Sequence, residues 1–276
     1  MTTTIHTNPG ALVAQATLRN ITVQLDKVSK QVQTGYKVAD AKDDASTFAV
    51  AQGLRNNISS LNAVQQGLSS AVGLAEVGLA GATAVSNLFD GIKTKLTQLA
   101  NTAITSSQRI TYTTDLKDLA TQAKDLIKQA IFNGTNLLNN TTSINFIADV
   151  LGNQIPINGV QVFTSASVFN ASIGASLTST LARQLLNASS NTLDNFITAT
   201  NSALSGIAGD LRAVEAQNNF VKAISDATEK GLGALVDADL AKASSKIQAL
   251  QAQQQLSTQA ITIANQAPSV LLGLFK

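Results

Sequence analysis

Proline falls at only three places in this chain, Pro9, Pro156 and Pro268. Proline breaks a helix interior, so the stretches 10–155 and 157–267 are free to run as long helices. Apolar spacing says that they do. Ala11, Ala14, Leu18, Ile21, Leu25, Val28 and Val32 alternate steps of three and four, which is a heptad seam. It stops at Thr34-Gly35, where glycine can end a helix. A second seam runs Leu54, Ile58, Leu61, Gln65, Leu68, Val72, Ala75 and Leu79, and resumes at Val85, Phe89, Ile92, Leu96 and Leu99. A third holds Tyr112, Leu116, Leu119, Ala123, Leu126 and Ala130. Beyond the middle proline, a long seam keeps step from Leu193 and Phe196 through Val214 and Val221 to Leu235. The last comprises Leu240, Ala243, Ile247, Leu250, Gln254, Ser257, Ile261 and Ala264. A 50-residue helix is roughly 75 Å long, so such helices must lie side by side. The expected fold is mainly α: an elongated antiparallel helical rod, or coiled coil, of paired N- and C-terminal helices.

Between Phe132 and about Ser179 the pattern changes. Asn, Thr, Ser and Gly become dense, and Ile155-Pro156-Ile157, Asn158-Gly159, Val160–Phe163 reads as a β-hairpin with a tight turn. A small β-rich insertion between two helical arms follows. The expected division is a terminal coiled-coil domain (1–45 with 235–276), a helical rod domain (46–141 with 180–234), and an outer insertion over 142–179. A lone helix with one apolar seam is marginal in water. The two ends therefore need each other, or neighbouring subunits.

Composition removes most chemistry. Cysteine is absent and His6 is the single histidine, which excludes thiol catalysis, disulfides and the usual zinc sets. Aromatic residues make up 4% of the chain, too few for an aromatic-rich globular core but enough for helix seams. The net charge of +2 is spread without a basic cluster, so no nucleic-acid partner is expected. The start MTTTIHTNPG has no basic n-region or apolar h-region, so no cleavable signal peptide is expected. No uncharged apolar run reaches the roughly 18 residues of a membrane span. Asp43-Asp44 precede a long helix, where acidic residues are favoured by capping and by the helix dipole. Asp237 and Asp239 do not share a helix face, and start the last helix instead. Gly73, Gly78 and Gly81 lack the G-x-x-x-x-G-K-[ST] phosphate-loop pattern and fit close helix approach. Gln65, Asn218, Gln254 and Ser257 either fix register inside the seams or face solvent. The sequons at Asn139, Asn140, Asn170 and Asn187 are of the kind an Asn/Ser/Thr-rich chain produces by chance. No catalytic, cofactor or metal residue is expected.

The two ends resemble bacterial flagellin, of the alphaproteobacterial pattern. At the N-terminus the resemblance rests on Ile5, Thr7-Asn8, Ala11-Leu12, Gln15, Thr34–Val38, Ala41 and Asp43-Asp44-Ala45. In the middle it rests on FNGTNLL (Phe132–Leu138), and at the C-terminus on LVDADLAKAS (Leu235–Ser244), QALQAQQQL (Gln248–Leu256), IANQAP and LLGLF. The resemblance implies a non-enzymatic, secreted subunit of the flagellar filament, polymerising through its ends into a hollow helical tube that serves swimming. It implies an assembly seam of Leu18, Ile21, Leu25, Val28 and Val32 with Leu240, Ile247, Leu250 and Ile261, and a domain junction at Asp43 and Asp44. The implied partners are copies of the chain itself, an export chaperone, the flagellar type III export apparatus, and hook-associated and cap proteins. The segment Ile92, Lys93, Leu96, Gln98 and Leu99 aligns loosely with the one that animal innate-immune receptors recognise. Gly91 stands there in place of the family's usual arginine, which counts against receptor activation. A hook–filament junction protein is the alternative within this class. A secreted amphipathic membrane-active translocator is the alternative outside it. The H-E-x-x-H of a metallopeptidase insertion cannot be formed with one histidine.

Overall fold

The computed structural model describes residues 7–187 and 192–274, with side chains placed as far as residue 266. His6 and Ile5 lie outside the described residues. The elements are α1 (Pro9–Thr34), α2 (Ala45–Ala100), α3 (Ser106–Gln129), β1 (Ile144–Ile147), β2 (Gln154–Ile157), α4 (Val162–Ser172), α5 (Ser179–Leu186), α6 (Thr192–Val236) and α7 (Leu240–Leu274). Among the described residues the fold is mainly α with one two-stranded sheet. It forms two compact units, Met1–Ile58 with Ala227–Lys276, and Ser59–Asp226.

In the first unit, Asn8 caps α1 by accepting from the Ala11 N–H at 3.2 Å, and Pro9 occupies the first turn, where its missing N–H costs nothing. Gly35 ends the helix at φ 73, donating its N–H to Gln31 O. The left-handed φ explains the glycine. α7 starts behind Asp239, whose Oδ1 accepts from the Lys242 N–H at 3.0 Å. The two helices lie antiparallel, with Asn8 Nδ2 donating to Ala264 O at 2.7 Å near one end and Val28 clustered with Ala243 near the other.

In the second unit, the seam of α2 passes through Leu61, Val64, Leu68, Ala71, Ala75, Gly78, Ala82, Val85, Phe89, Ile92, Leu96 and Leu99, all buried. Steps of three and four alternate here without a break. The sequence reading placed Gln65, Val72 and Leu79 on the seam, but these are half-buried. The small residues take the core positions because the segment after α3 crosses there. A Cβ on Gly73 would stand 3.0 Å from the Phe132 ring, one on Gly78 3.1 Å from Leu137, and one on Gly81 2.7 Å from Ala130. The glycines thus accommodate the FNGTNLL segment, and Gly78 also touches Ile207 of α6. That segment turns through Asn133 (φ 47) and Gly134 (φ 79) and is tied back by Asn136 Nδ2 to Ile127 O at 2.6 Å. The same one-residue shift appears in α3, where Ala120 and Ile127 are buried and Leu119 and Leu126 only partly so. In α6, Val236 takes the place expected for the exposed Leu235.

The expected hairpin is differently built. β2 pairs antiparallel with β1, Ile144 opposite Ile157 and Asn145 opposite Pro156, and Val160–Phe163 leads into α4 instead. The Val160 N–H donates to Leu137 O and the Val162 N–H to Leu138 O, so the stretch after Gly159 is held by the FNGTNLL segment. Asn158 is anchored through both nitrogens to Asp210 Oδ2, at 2.8 and 3.1 Å. Gly159 lies against Asn140 O, where no Cβ would fit. Asn158-Gly159 is a crossing point, not a reversing turn.

Residues 142–179 are not mainly β. Their largest element is α4, and Ile157, Val162, Phe169 and Leu177 are fully buried in the main core of the second unit. Phe169 stacks on Phe196 at 6.0 Å, and Phe196 meets Phe89 edge-on at 5.0 Å, joining α4, α6 and α2. The segment is therefore part of the helical layer it was expected to project from. Alternation suited a strand as far as Ile157. Beyond it, the apolar residues of 162–173 follow helical spacing.

Candidate assembly surface

The facing residues of α1 and α7 form a core of their own. Ile21, Val28, Ala243 and Leu250 are buried, with Leu25, Val32 and Ile247 packed against them. Leu18 and Ile261 are half-buried further along. Leu240 departs from the expectation: it is 49% exposed, because it occupies the first helical position after Asp239, and Ala243 one turn later takes the contact with Val28. Of the polar seam positions, Gln254 and Ser257 are half-buried, as is Asn218 in α6.

The pair leaves other apolar side chains uncovered. Leu12, Val13 and Val23 on α1 and Leu256 and Ile263 on α7 are all more than 60% exposed. Two open grooves run beside the pair. One of about 520 Å³ is lined by Ala11, Leu12, Leu18 and Ile261, and one of about 360 Å³ by Val28, Lys37, Asp237, Lys242 and Lys246. From residue 247 to 266, α7 carries no charged side chain, and its exposed polar positions are Gln, Thr and Asn.

The link from α1 to α2 is held at several points. The Lys37 N–H donates to Val236 O and the Ala238 N–H to Gly35 O, and Val38, Ala51 and Val236 are buried together with Phe48 and Leu232 packed on them. Asp44 Oδ1 accepts from the Ser46 and Thr47 N–H groups at the start of α2, and its Oδ2 accepts from the Thr47 hydroxyl at 2.7 Å. This last bond, with the backbone donors, holds its carboxyl below the ordinary range. Asp43 Oδ2 accepts from the Ala39 and Asp40 N–H groups and from Lys30 Nζ. The Ala39 N–H is the main cause of its lowered pKa. Lys30 also pairs with Asp40, lowering that carboxyl and raising its own pKa. Both Asp43 and Asp44 lie inside the first unit, and the passage to the second falls later, between Ile58 and Ser59. Their geometry is that of a cap and a loop clasp.

The segment compared with a receptor-recognised one faces inward. Ile92, Leu96 and Leu99 are fully buried, and of the five residues Lys93 alone is exposed. Gln98 is half-buried, with Oε1 shielded and lacking a donor. Gly91 rests 3.4 Å (as a Cβ) from Leu119 of α3. Among the described residues, no group of three or more His, Cys, Asp or Glu side chains could hold a metal.

Sequence reasoning missed two arginines at the far end of α2. Arg109 donates to Leu99 O, Asn101 O and Leu177 O, and Arg183 Nε donates to Ala100 O. Together they satisfy carbonyls that a helix C-terminus leaves unpaired. Neither stands within a few residues of Ala100 along α2 itself, so no local pattern could have revealed them.

Comparison with known proteins gives one consistent result. Residues 5–143 match the model of the bacterial flagellin N-terminal helical region, and residues 190–275 that of the C-terminal helical region. The chain is 30% identical over 278 residues to flagellin FljK of Caulobacter vibrioides, covering 99% of this chain and 98% of that one. It is 28% identical to a flagellin of Brucella melitensis, covering 99% of each. A solved structure from Vibrio parahaemolyticus, described as flagellar hook-associated, superposes with a TM-score of 0.58 at 15% identity, covering 70% of this chain and 99% of that one. At that identity the likeness concerns the fold alone.

Proposed function

The chain belongs to the bacterial flagellin family and is a structural subunit of the flagellar filament, and from that premise we propose that it polymerises through the α1–α7 pair into a hollow tube. The observation that carries this is the division of apolar side chains on that pair. One set closes the pair, while Leu12, Val13, Val23, Leu256 and Ile263 stay exposed on it. Apolar surface left in water favours association at about 25 cal/mol per Å², and in a homopolymer the covering surface is another copy.

In this reading, residues 1–45 with 235–276 form the inner wall of the tube, and Asp43 and Asp44 fix the link from α1 to α2. The seam named above, Leu18 to Val32 with Ile247, Leu250 and Ile261, holds each subunit's two ends together. The chain works without catalysis. It leaves the cell through the flagellar type III apparatus, with its C-terminal segment held beforehand by an export chaperone, and it meets hook-associated and cap proteins at the filament ends.

Salt-induced polymerisation followed by electron microscopy tests the assembly. Full-length protein should give tubes, and chains lacking residues 1–35 or 240–276 should give none while keeping their remaining helical content. Tubes at normal yield from either truncation would overturn the proposal.

A further inference from the structure

An 18-residue window of α2 has a mean hydropathy of 1.4, so by length and composition this helix could cross a membrane. Yet only 39% of that window is buried in the protein. Between Arg55 and Asp90 a single residue is charged, Glu76. In the most apolar part, 68–85, it stands at the midpoint. Its neighbours Ala75 and Gly78 face the core, but Glu76 itself is exposed and makes no hydrogen bond or ion pair with the described residues. Within a single subunit this carboxylate has no partner among the described residues. Other exposed positions nearby, Ala80, Thr83 and Asn87, are uncharged, so Glu76 is the one charge on this stretch.

We propose that Glu76 keeps the unfolded chain out of membranes, steering it away from the machinery that inserts apolar helices while residues 68–85 have yet to find their core. Before folding, these residues resemble a membrane span to any system that reads hydropathy over about 20 residues. A charge has its greatest effect at the centre of such a span and little near its ends. Moving from a central acidic residue to leucine changes the ratio of inserted to excluded chains by about a hundredfold or more. The effect belongs to the chain before folding and does not depend on its export route.

The test is cell-free synthesis of the full chain in the presence of inverted bacterial inner-membrane vesicles. Carbonate extraction and flotation follow, so that aggregates are separated from inserted chains. Wild type and Glu76→Lys should stay extractable, since either sign of charge excludes the segment. Glu76→Leu should float with the vesicles after extraction, at least tenfold more than wild type. Asp90→Leu, which removes a charge at the edge of the apolar stretch, should behave as wild type. The folded Glu76→Leu protein, made without vesicles, should melt at the wild-type temperature. The inference is wrong if wild type already inserts, if Glu76→Leu remains extractable, or if Asp90→Leu inserts equally well. A clear fall in the melting temperature of Glu76→Leu would also defeat it, by assigning the carboxylate a role in the fold.

Discussion

Leu250 offers the sharpest handle on the α1–α7 pair. It is 4% exposed and shares its cluster with Ile21, Val28 and Ala243, with Ile247 packed against them. Truncating a buried leucine to alanine costs about 2–5 kcal/mol, the range reflecting how far the site collapses. Only two helices meet at this core, so water and neighbouring side chains can fill much of the gap, and the lower part of the range applies, about 2–3 kcal/mol. The pair forms within one chain, so the loss should already be felt in the monomer. At 1.4 kcal/mol per tenfold, hydrogen-exchange protection of α1 and α7 amides should fall roughly 30- to 150-fold. Amides of α2 between Leu61 and Leu99, in the other unit, should keep theirs. Polymerisation must then re-form the pair, so the critical concentration should rise as well. Gln251, exposed one residue further on, is the control and should change neither. Unchanged protection in Leu250→Ala, or a loss shared equally by both units, would refute the reasoning.

Four other outcomes can be measured. Gly81→Ala puts a methyl group 2.7 Å from Ala130 and should destabilise the protein by about 1–3 kcal/mol in thermal unfolding; Gly67→Ala, with nothing within 4 Å, should stabilise it by about 0.5–1 kcal/mol. Thr105 and Gln108 form a reciprocal capping box at the start of α3, and Thr105→Ala should cost about 1 kcal/mol in chemical denaturation. Asp40, Asp43 and Asp44 have depressed pKa values when folded, so their stabilisation is complete above the ordinary carboxylate pKa near 4 and is lost as pH falls through the lower folded values. Protection of the amides at residues 36–44, measured against their intrinsic exchange rates, should therefore fall below about pH 4, and an Asp40→Asn, Asp43→Asn double variant should remove most of that dependence. Replacing residues 142–179 by a short linker should strip Ile157, Val162, Phe169 and Leu177 from the core and abolish the cooperative melt of the second unit, whereas a melt like wild type would restore the idea of a dispensable insertion.

Periodicity made the helices legible, and Gly35 and the acidic residues before α2 and α7 marked their ends. These are local signals, set by backbone hydrogen bonding within four residues. What the sequence concealed was non-local. The α2 seam seemed to slip between Leu79 and Val85 because large apolar residues were sought, whereas the core there takes Ala71, Gly78 and Ala82. Only the crossing segment Phe132–Leu138, more than 40 residues away, makes small residues necessary. In α3 the buried positions are likewise one residue on from those expected, Ala120 and Ile127 in place of Leu119 and Leu126. Asn158-Gly159 has the composition of a hairpin turn, but its partners are Asp210 and Asn140, which no local reading could supply. Of the seam that the family resemblance implied, the structure packs Ile21, Leu25, Val28, Val32, Ile247 and Leu250 together, leaves Leu18 and Ile261 half-buried, and exposes Leu240.

The α1–α7 core and the core of the second unit differ in a way that bears on the proposed polymerisation. In the second unit, three or more elements meet: α2, α3, α4 and α6 all contribute, and Leu68, Leu96, Leu116, Phe169 and Phe196 are sealed from solvent. At the α1–α7 pair two helices meet, and none of its buried seam residues is fully sealed. A helix in a two-helix layer has one neighbour, so a wide arc of its surface stays open. Here that arc holds apolar residues at Val13 and Val23 on α1 and at Leu256 and Ile263 on α7. More charge on those faces would help solubility and weaken packing between copies. More apolar bulk would favour unspecific association. Gln, Ser and Thr around α7 occupy the middle: they tolerate water, cost less than charges to bury, and can pair with one another across a contact. The same argument predicts that charges added to this face, for example Gln255→Glu or Gln259→Lys, should block polymerisation while leaving the melting of the second unit unchanged.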